Sequence, residues 1–117
     1  MKVSEIINIL EAELVVGNEN LNMDIQSACG SDLMSDVMAY VKDSVIILTG
    51  LFNPKVIRTA EMMDIKVVTF VRGKKLEPKI IDLAKELNIT ILTTKHPMFI
   101  ACGRLYSAGL IGRGVRD

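Results

Sequence analysis

Residues 44–49 read Ser44-Val45-Ile46-Ile47-Leu48-Thr49, and residues 66–71 read Lys66-Val67-Val68-Thr69-Phe70-Val71. Between them, from Pro54 to Asp64, Val56, Ile57, Ala60 and Met63 recur at helical spacing. A strand of consecutive apolar, largely β-branched residues has no polar face, so both of its faces must be covered. Two such strands joined by an amphipathic helix make a βαβ unit with parallel strands. This stretch decides the fold class as α/β.

The pattern continues towards the C-terminus. A helix is expected from Pro78 to Leu87, burying Ile80, Ala84 and Leu87. A strand follows at Thr90-Ile91-Leu92-Thr93, then a helix from Pro97 to about Leu110. Towards the N-terminus, Leu33, Met34, Val37, Met38 and Val41 form another helical stripe. Met23 to Cys29 alternates weakly as a strand, Leu14-Val15-Val16 is a short strand ended by Gly17, and Val3, Ile6, Ile7 and Leu10 mark a first helix from Val3 to Glu11. Pro54, Pro78 and Pro97 each fall where a helix should begin, since a missing N–H costs nothing there. Asn53 is placed to cap the helix after it. The expectation is a three-layer α/β/α single domain over residues 1–111, with a mainly parallel or mixed sheet whose early strand order is left open, and a mobile tail at 112–117.

Composition narrows the function classes. The 117 residues suit one domain, and 50% apolar with 24% charged residues is the balance of a globular chain. Fourteen basic and fourteen acidic residues cancel, removing the footprint of a nucleic-acid or anionic-membrane binder. No apolar run approaches the ~20 residues of a membrane span, and the acid-containing N-terminus is not a signal peptide. Two cysteines, Cys29 and Cys102, are too few for a disulfide framework and point to a reducing cytoplasm.

Ligands of open α/β sheets bind beyond the carboxyl ends of the strands, near a topological switch. Four segments should line that rim: Gly30-Ser31-Asp32, Thr49 to Asn53, Arg72-Gly73-Lys74-Lys75 and Thr93-Thr94-Lys95-His96. Three of them lead into helix N-termini, whose free N–H groups attract anions. The candidate ligand-binding residues are Gly30, Ser31, Asp32, Thr49, Gly50, Asn53, Arg58, Thr93 and Thr94, for a nucleotide or another phosphorylated small molecule. The competing reading is that these residues only make short turns and caps.

Catalysis finds less support. There is no GxxxxGK[ST] phosphate loop, and no GxGxxG follows a strand. His96 is the sole histidine and lacks an identifiable nucleophile, so capping or surface exposure competes with a base role. Cys29 and Cys102 read as small buried hydrophobes rather than zinc ligands. Asp32 and Asp36 read as first-turn acids rather than a metal pair, and Arg58 as the partner of Glu61 or Asp64 in an ion pair. No catalytic residue, metal or cofactor is assigned.

Met98, Ala101, Cys102, Leu105 and Ala108 share one face of the last helix, enough to dock it on the sheet. Phe99, Gly103, Tyr106 and Leu110 form an adjoining apolar stripe, the expected interface of a homodimer. The N-terminal helix or the tail covering this stripe is the alternative.

Gly30-Ser31-Asp32-Leu33-Met34-Ser35-Asp36-Val37, Leu48-Thr49-Gly50, Asn53-Pro54 and Arg58-Thr59-Ala60-Glu61 together resemble a stand-alone DRTGG domain. Phe70-Val71-Arg72-Gly73-Lys74, Leu92-Thr93-Thr94, Met98-Phe99 and Gly103-Arg104-Leu105 continue the resemblance over nearly the whole chain. The five-residue run that names the family is not present literally. The resemblance implies a fold like the N-terminal domain of HPr kinase/phosphorylase. It also implies a regulatory or dimerising role, such as DRTGG domains have beside CBS domains in regulatory pyrophosphatases. The leading expectation is a non-catalytic regulatory or ligand-sensing homodimer, partnered by a metabolic enzyme or regulator. A small-molecule binding protein for a nucleotide or other phosphorylated metabolite is second, and a minor enzyme third.

Overall fold

A computed structural model describes residues 1–40 and 45–112. The chain runs α1 (Val3–Leu10), β1 (Glu13–Val16), a 3-10 turn at Asn18–Asn20, β2 (Ser27–Gly30), α2 (Met34–Tyr40), β3 (Val45–Thr49), α3 (Pro54–Met62), β4 (Val67–Phe70), α4 (Pro78–Glu86), β5 (Thr90–Thr93) and α5 (Met98–Ser107). Val41 and Ser44, expected to extend α2 and β3, lie outside the described residues, as does the expected mobile tail apart from Gly112.

The sheet order is β1-β5-β4-β3-β2. β2 to β5 are parallel and lie side by side in chain order, with Ile46 opposite Val67 and Val67 opposite Thr90. β1 joins the far edge antiparallel to β5, Glu13 opposite Thr93, so the sheet is mixed. Right-handed crossovers between successive parallel strands put α2, α3 and α4 on one face. There Met34, Val37, Val56, Ile57, Ile80 and Ala84 pack on Val45, Ile47, Val68, Phe70 and Ile91. The other face carries α1 and α5, with Val3, Ile6, Leu10, Ala101 and Leu105 on Ile46, Leu48, Val67, Val71 and Leu92. Alternate residues of β3 and β4 therefore feed two cores, which is why those strands had to be apolar throughout.

α1, α3 and α4 end one or two residues short of the expected Glu11, Asp64 and Leu87, and three other differences bear on the site. Of Met23 to Cys29, only the end joins the sheet, because Met23 and Ile25 instead hold the start of the chain: Val3 N donates to Met23 O at 3.1 Å and Ile25 N to Met1 O at 2.7 Å. Pro97 is the N-cap of α5, so the helix starts at Met98, one residue later than expected. Finally, α5 stops at Ser107 rather than near Leu110. Gly109 turns left-handed (φ 106°), its N–H bonding Tyr106 O and that of Leu110 bonding Leu105 O. This is a Schellman closure, and it folds Leu110 into the second core at 5% exposure. Leu110 is thereby corrected from interface residue to core residue. Ala108, expected on the docking face, is exposed.

Because β2 to β5 follow one another without reversal, there is no switch in strand order among the parallel strands. The equivalent opening lies between β4 and β5. After β4 the chain turns to the α4 face, and after β5 to the α5 face. Adjacent connections that leave on opposite faces open a crevice at the carboxyl end of the sheet.

Candidate functional site

The rim beyond β2 and β3 holds most of the residues named from sequence, and their polar groups bond the loops themselves. Asp32 Oδ1 accepts the Gly50 N–H at 2.6 Å and the Thr49 hydroxyl at 3.4 Å. Thr49 Oγ1 accepts the Leu51 N–H, and Ser31 Oγ accepts the Leu33 N–H. Asn53 Oδ1 accepts the Lys55 N–H at 2.8 Å, so it caps α3 as expected. α2 begins at Met34, leaving Asp32 ahead of the helix rather than in its first turn. Gly30 is a close approach: a Cβ there would stand 2.6 Å from Cys102 Sγ. Arg72, missing from the named residues, completes the knit. Left-handed at φ 71°, it donates from its guanidinium to Gly50 O at 2.6 Å and from its backbone N to His96 O at 2.9 Å. Its guanidinium lies against Gly50, where a Cβ would meet it. Arg72 thus ties three loops together.

The crevice between β4 and β5 is built differently. It encloses about 710 Å³, within the roughly 300–1,000 Å³ range of small-molecule sites. Its cationic side is Lys74, Lys75 and Lys95 with His96; Glu11 and Glu13 face them; Val15, Leu76 and Ile81 form an apolar wall. Local irregularities shape it. The β1 register shifts between Leu14 and Val16, so Val15 and Val16 both pack towards the first core. Gly73, left-handed at φ 65°, donates its N–H to Thr94 O at 2.9 Å and so brings the β4 loop against the β5 loop. Lys74 Nζ sits 5.8 Å over the Phe52 ring, which itself lies 5.1 Å from Phe70. Among the described residues none of the three lysines pairs with a carboxylate.

Two named residues reach this crevice. Thr93 and Thr94 line it, but the Thr94 hydroxyl is buried and donates to Leu10 O at 2.7 Å, fastening α1 to β5. Arg58 is exposed on α3 and pairs with neither Glu61 nor Asp64; Asp64 pairs with Lys66. Sequence reasoning put the Lys74-Lys75 and Lys95-His96 loops on the rim without assigning their side chains. It missed Glu11 and Glu13 altogether. The crevice joins residues some eighty positions apart through antiparallel pairing of β1 with β5, and no local signal marks that pairing.

Burial pushes both the Cys29 and Cys102 thiols above their ordinary range, and the neighbouring Cys102 and Asp36 add to the effect at Cys29. Both are half-buried free thiols. Among the described residues no three His, Cys, Asp or Glu side chains converge to hold a metal. No helix there is long and apolar enough to cross a membrane. On α5, Phe99 is 84% and Tyr106 73% exposed, and Gly103 between them faces open space among the described residues. Beside them a groove of about 400 Å³ runs along β2, lined by Ala28, Gly30, Cys102 and Ile111.

The DRTGG domain family model matches residues 5–107. The comparison with curated proteins finds no match. Among solved structures, the chain resembles the crystal structure of the CBS and DRTGG domains of the regulatory region of Clostridium perfringens pyrophosphatase, complexed with activator, diadenosine tetraphosphate. The TM-score is 0.75 at 18% identity, covering 99% of this chain and 50% of that one. The α/β fold expected from sequence is the fold of that region. The expected kinship with the N-terminal domain of HPr kinase is neither carried nor opposed by these matches.

Proposed function

This chain belongs to the DRTGG domain family, and we propose on that footing that it is a non-catalytic regulatory module that senses a phosphorylated small molecule and acts as a homodimer. The observation that carries the ligand class is the β4–β5 crevice, where Lys74, Lys75 and Lys95 surround an open volume without carboxylate partners among the described residues. Lysine ammonium groups recognise phosphate as point charges. Val15, Leu76 and Ile81 offer a surface for a base. A nucleotide satisfies both. The structural relative's complex with a dinucleotide activator supports the same class.

Dimerisation is proposed through the exposed side of α5, with Phe99, Gly103 and Tyr106 at its centre. Two large, mostly exposed aromatic rings beside an apolar groove are unusual on a monomer's surface. The protein partner is a metabolic enzyme or regulator in the cytoplasm, where unpaired cysteines such as these two persist.

A thermal-shift screen with ATP, AMP, pyrophosphate and diadenosine polyphosphates tests the ligand class. A ligand at a hundred times its Kd adds ~2.7 kcal/mol of stability, so a phosphorylated compound is expected to raise the melting temperature where its unphosphorylated counterpart does not. Silence from every phosphorylated compound would reject the reading. Light scattering should return about twice 12.9 kDa, and Tyr106→Asp should shift the protein towards monomer with its melting curve kept. A wild-type monomer across micromolar concentrations rejects the dimer.

A further inference from the structure

α1 closes on a left-handed residue, the position that glycine fills with least strain, yet the residue is Glu11 at φ 51°. A carboxylate beside the C-terminal carbonyls of a helix also opposes the helix dipole. Two local penalties at one position call for a contact made by the side chain, and that contact is double. Glu11 Oε1 lies 2.9 Å from His96 Nε2 and 3.4 Å from Arg104 Nη2. His96 lines the crevice. Arg104 lies on α5 and donates from Nη1 to Ile9 O at 3.1 Å. A single carboxylate oxygen joins the crevice to the helix that carries Phe99 and Tyr106.

We propose that Glu11 is an internal competitor for the anion of the crevice and the relay between the crevice and α5. An entering phosphate takes the His96 Nε2 hydrogen bond and repels the carboxylate. Glu11 is then left with Arg104 alone, and because Arg104 is also fastened to α1 through Ile9 O, the change falls on the seam between α1 and α5. The inference rests on the reading of the crevice as an anion site, and adds to it a regulatory connection. The Glu11 side chain is 65% exposed and that of Arg104 43%. Such solvent-screened pairs are individually weak, so they exchange readily. A ligand shifts a structure only through its different affinity for two arrangements, and the resulting coupling is reciprocal. Ligand in the crevice must therefore alter self-association through α5 by the factor by which self-association alters ligand affinity.

Glu11→Gln keeps the shape and removes the competing charge. It should tighten pyrophosphate binding about fivefold, the low end of allosteric couplings, because the pairs it breaks are exposed. Glu13→Gln serves as the control, since it removes a crevice charge that touches neither His96 nor Arg104. The readout is the amide spectrum of the full chain titrated with pyrophosphate. In the wild type, shifts are expected at Gly73 and Lys95 in the crevice and at Leu105 and Tyr106 on α5. In Glu11→Gln the crevice shifts persist and the α5 shifts vanish; in Glu13→Gln both persist. Arg104→Gln severs the relay from its other end and should repeat the Glu11→Gln pattern, which keeps the test open if either variant folds poorly. Crevice shifts with a silent α5 in the wild type, or α5 shifts surviving in both Glu11→Gln and Arg104→Gln, overturn the relay alone. No crevice shift at all overturns the anion site and the relay with it.

Discussion

At the β2–β3 half of the carboxyl rim, Asp32 accepts a backbone N–H of the neighbouring β3 loop, and Ser31, Thr49 and Asn53 each accept one from two residues along their own turn. At the β4–β5 half, Lys74, Lys75 and Lys95 face an open crevice. Both halves are built of small residues and hydrogen-bonding ones, and both precede helices. They differ in where the chain goes next. From β2 and β3 the connections turn to the same face and close over each other, so their polar groups end up satisfying the loops. From β4 and β5 the connections part to opposite faces, and β1 enters beside them, which leaves room that none of the described loops fills. Loop composition therefore marks a rim, whereas the direction of the connections decides which part of it is open.

The sharpest way to break this comparison is to remove polar groups that it holds to be structural. Thr94→Val deletes the 2.7 Å bond to Leu10 O inside the core and should lower stability by ~2 kcal/mol, the cost of an unsatisfied buried acceptor. Denaturant unfolding measures it, and a loss under ~0.5 kcal/mol would mean the hydroxyl is free for other work. Asp32→Ala orphans the Gly50 N–H, which lies in buried backbone, and should cost ~1–2 kcal/mol. Asn53→Ala removes the cap of α3 and should cost ~1 kcal/mol. Either variant that kept its stability yet lost ligand would transfer the site to the β2–β3 rim.

The smallest effect concerns pH. A thiol whose pKa is raised in the folded protein favours the neutral form there. It contributes stability that is complete below the ordinary thiol range and is lost as pH climbs through the raised value. For Cys29 and Cys102 this predicts a modest fall in melting temperature only in alkali, and alkylation at neutral pH slower than for free cysteine. Fast neutral alkylation of Cys29 would show that its burial is not maintained in solution.

The strands and helices from β3 onward were legible because their signals are local: apolar runs long enough to need two covered faces, and Pro54 and Pro78 at helix starts. β1 and β2 were less so. Neither is a wholly buried apolar run, since β1 opens on Glu13 and β2 reads Ser27-Ala28-Cys29-Gly30, and β1 pairs with a strand almost eighty residues away. The site divided along the same line. Thr93, Thr94 and the two lysine loops could be placed on the rim from sequence, because a parallel strand fixes where its carboxyl end points. Whether Thr94 faces ligand or holds α1 depends on Leu10, and Glu11 and Glu13 reach the crevice only through the edge pairing. Leu110 was misplaced because helical periodicity was extended past Gly109, where the chain turns back into the core.

The two halves of the rim are most directly separated by calorimetric titration of ATP into the wild type, Lys95→Ala and Asn53→Ala. An ammonium that bonds a phosphate contributes ~1.5–3 kcal/mol, so Lys95→Ala is expected to weaken binding about tenfold or more with stability unchanged. Asn53→Ala is expected to bind like the wild type despite its lower stability. Weakened binding in Asn53→Ala with undiminished binding in Lys95→Ala would contradict the assignment of the site to the β4–β5 crevice.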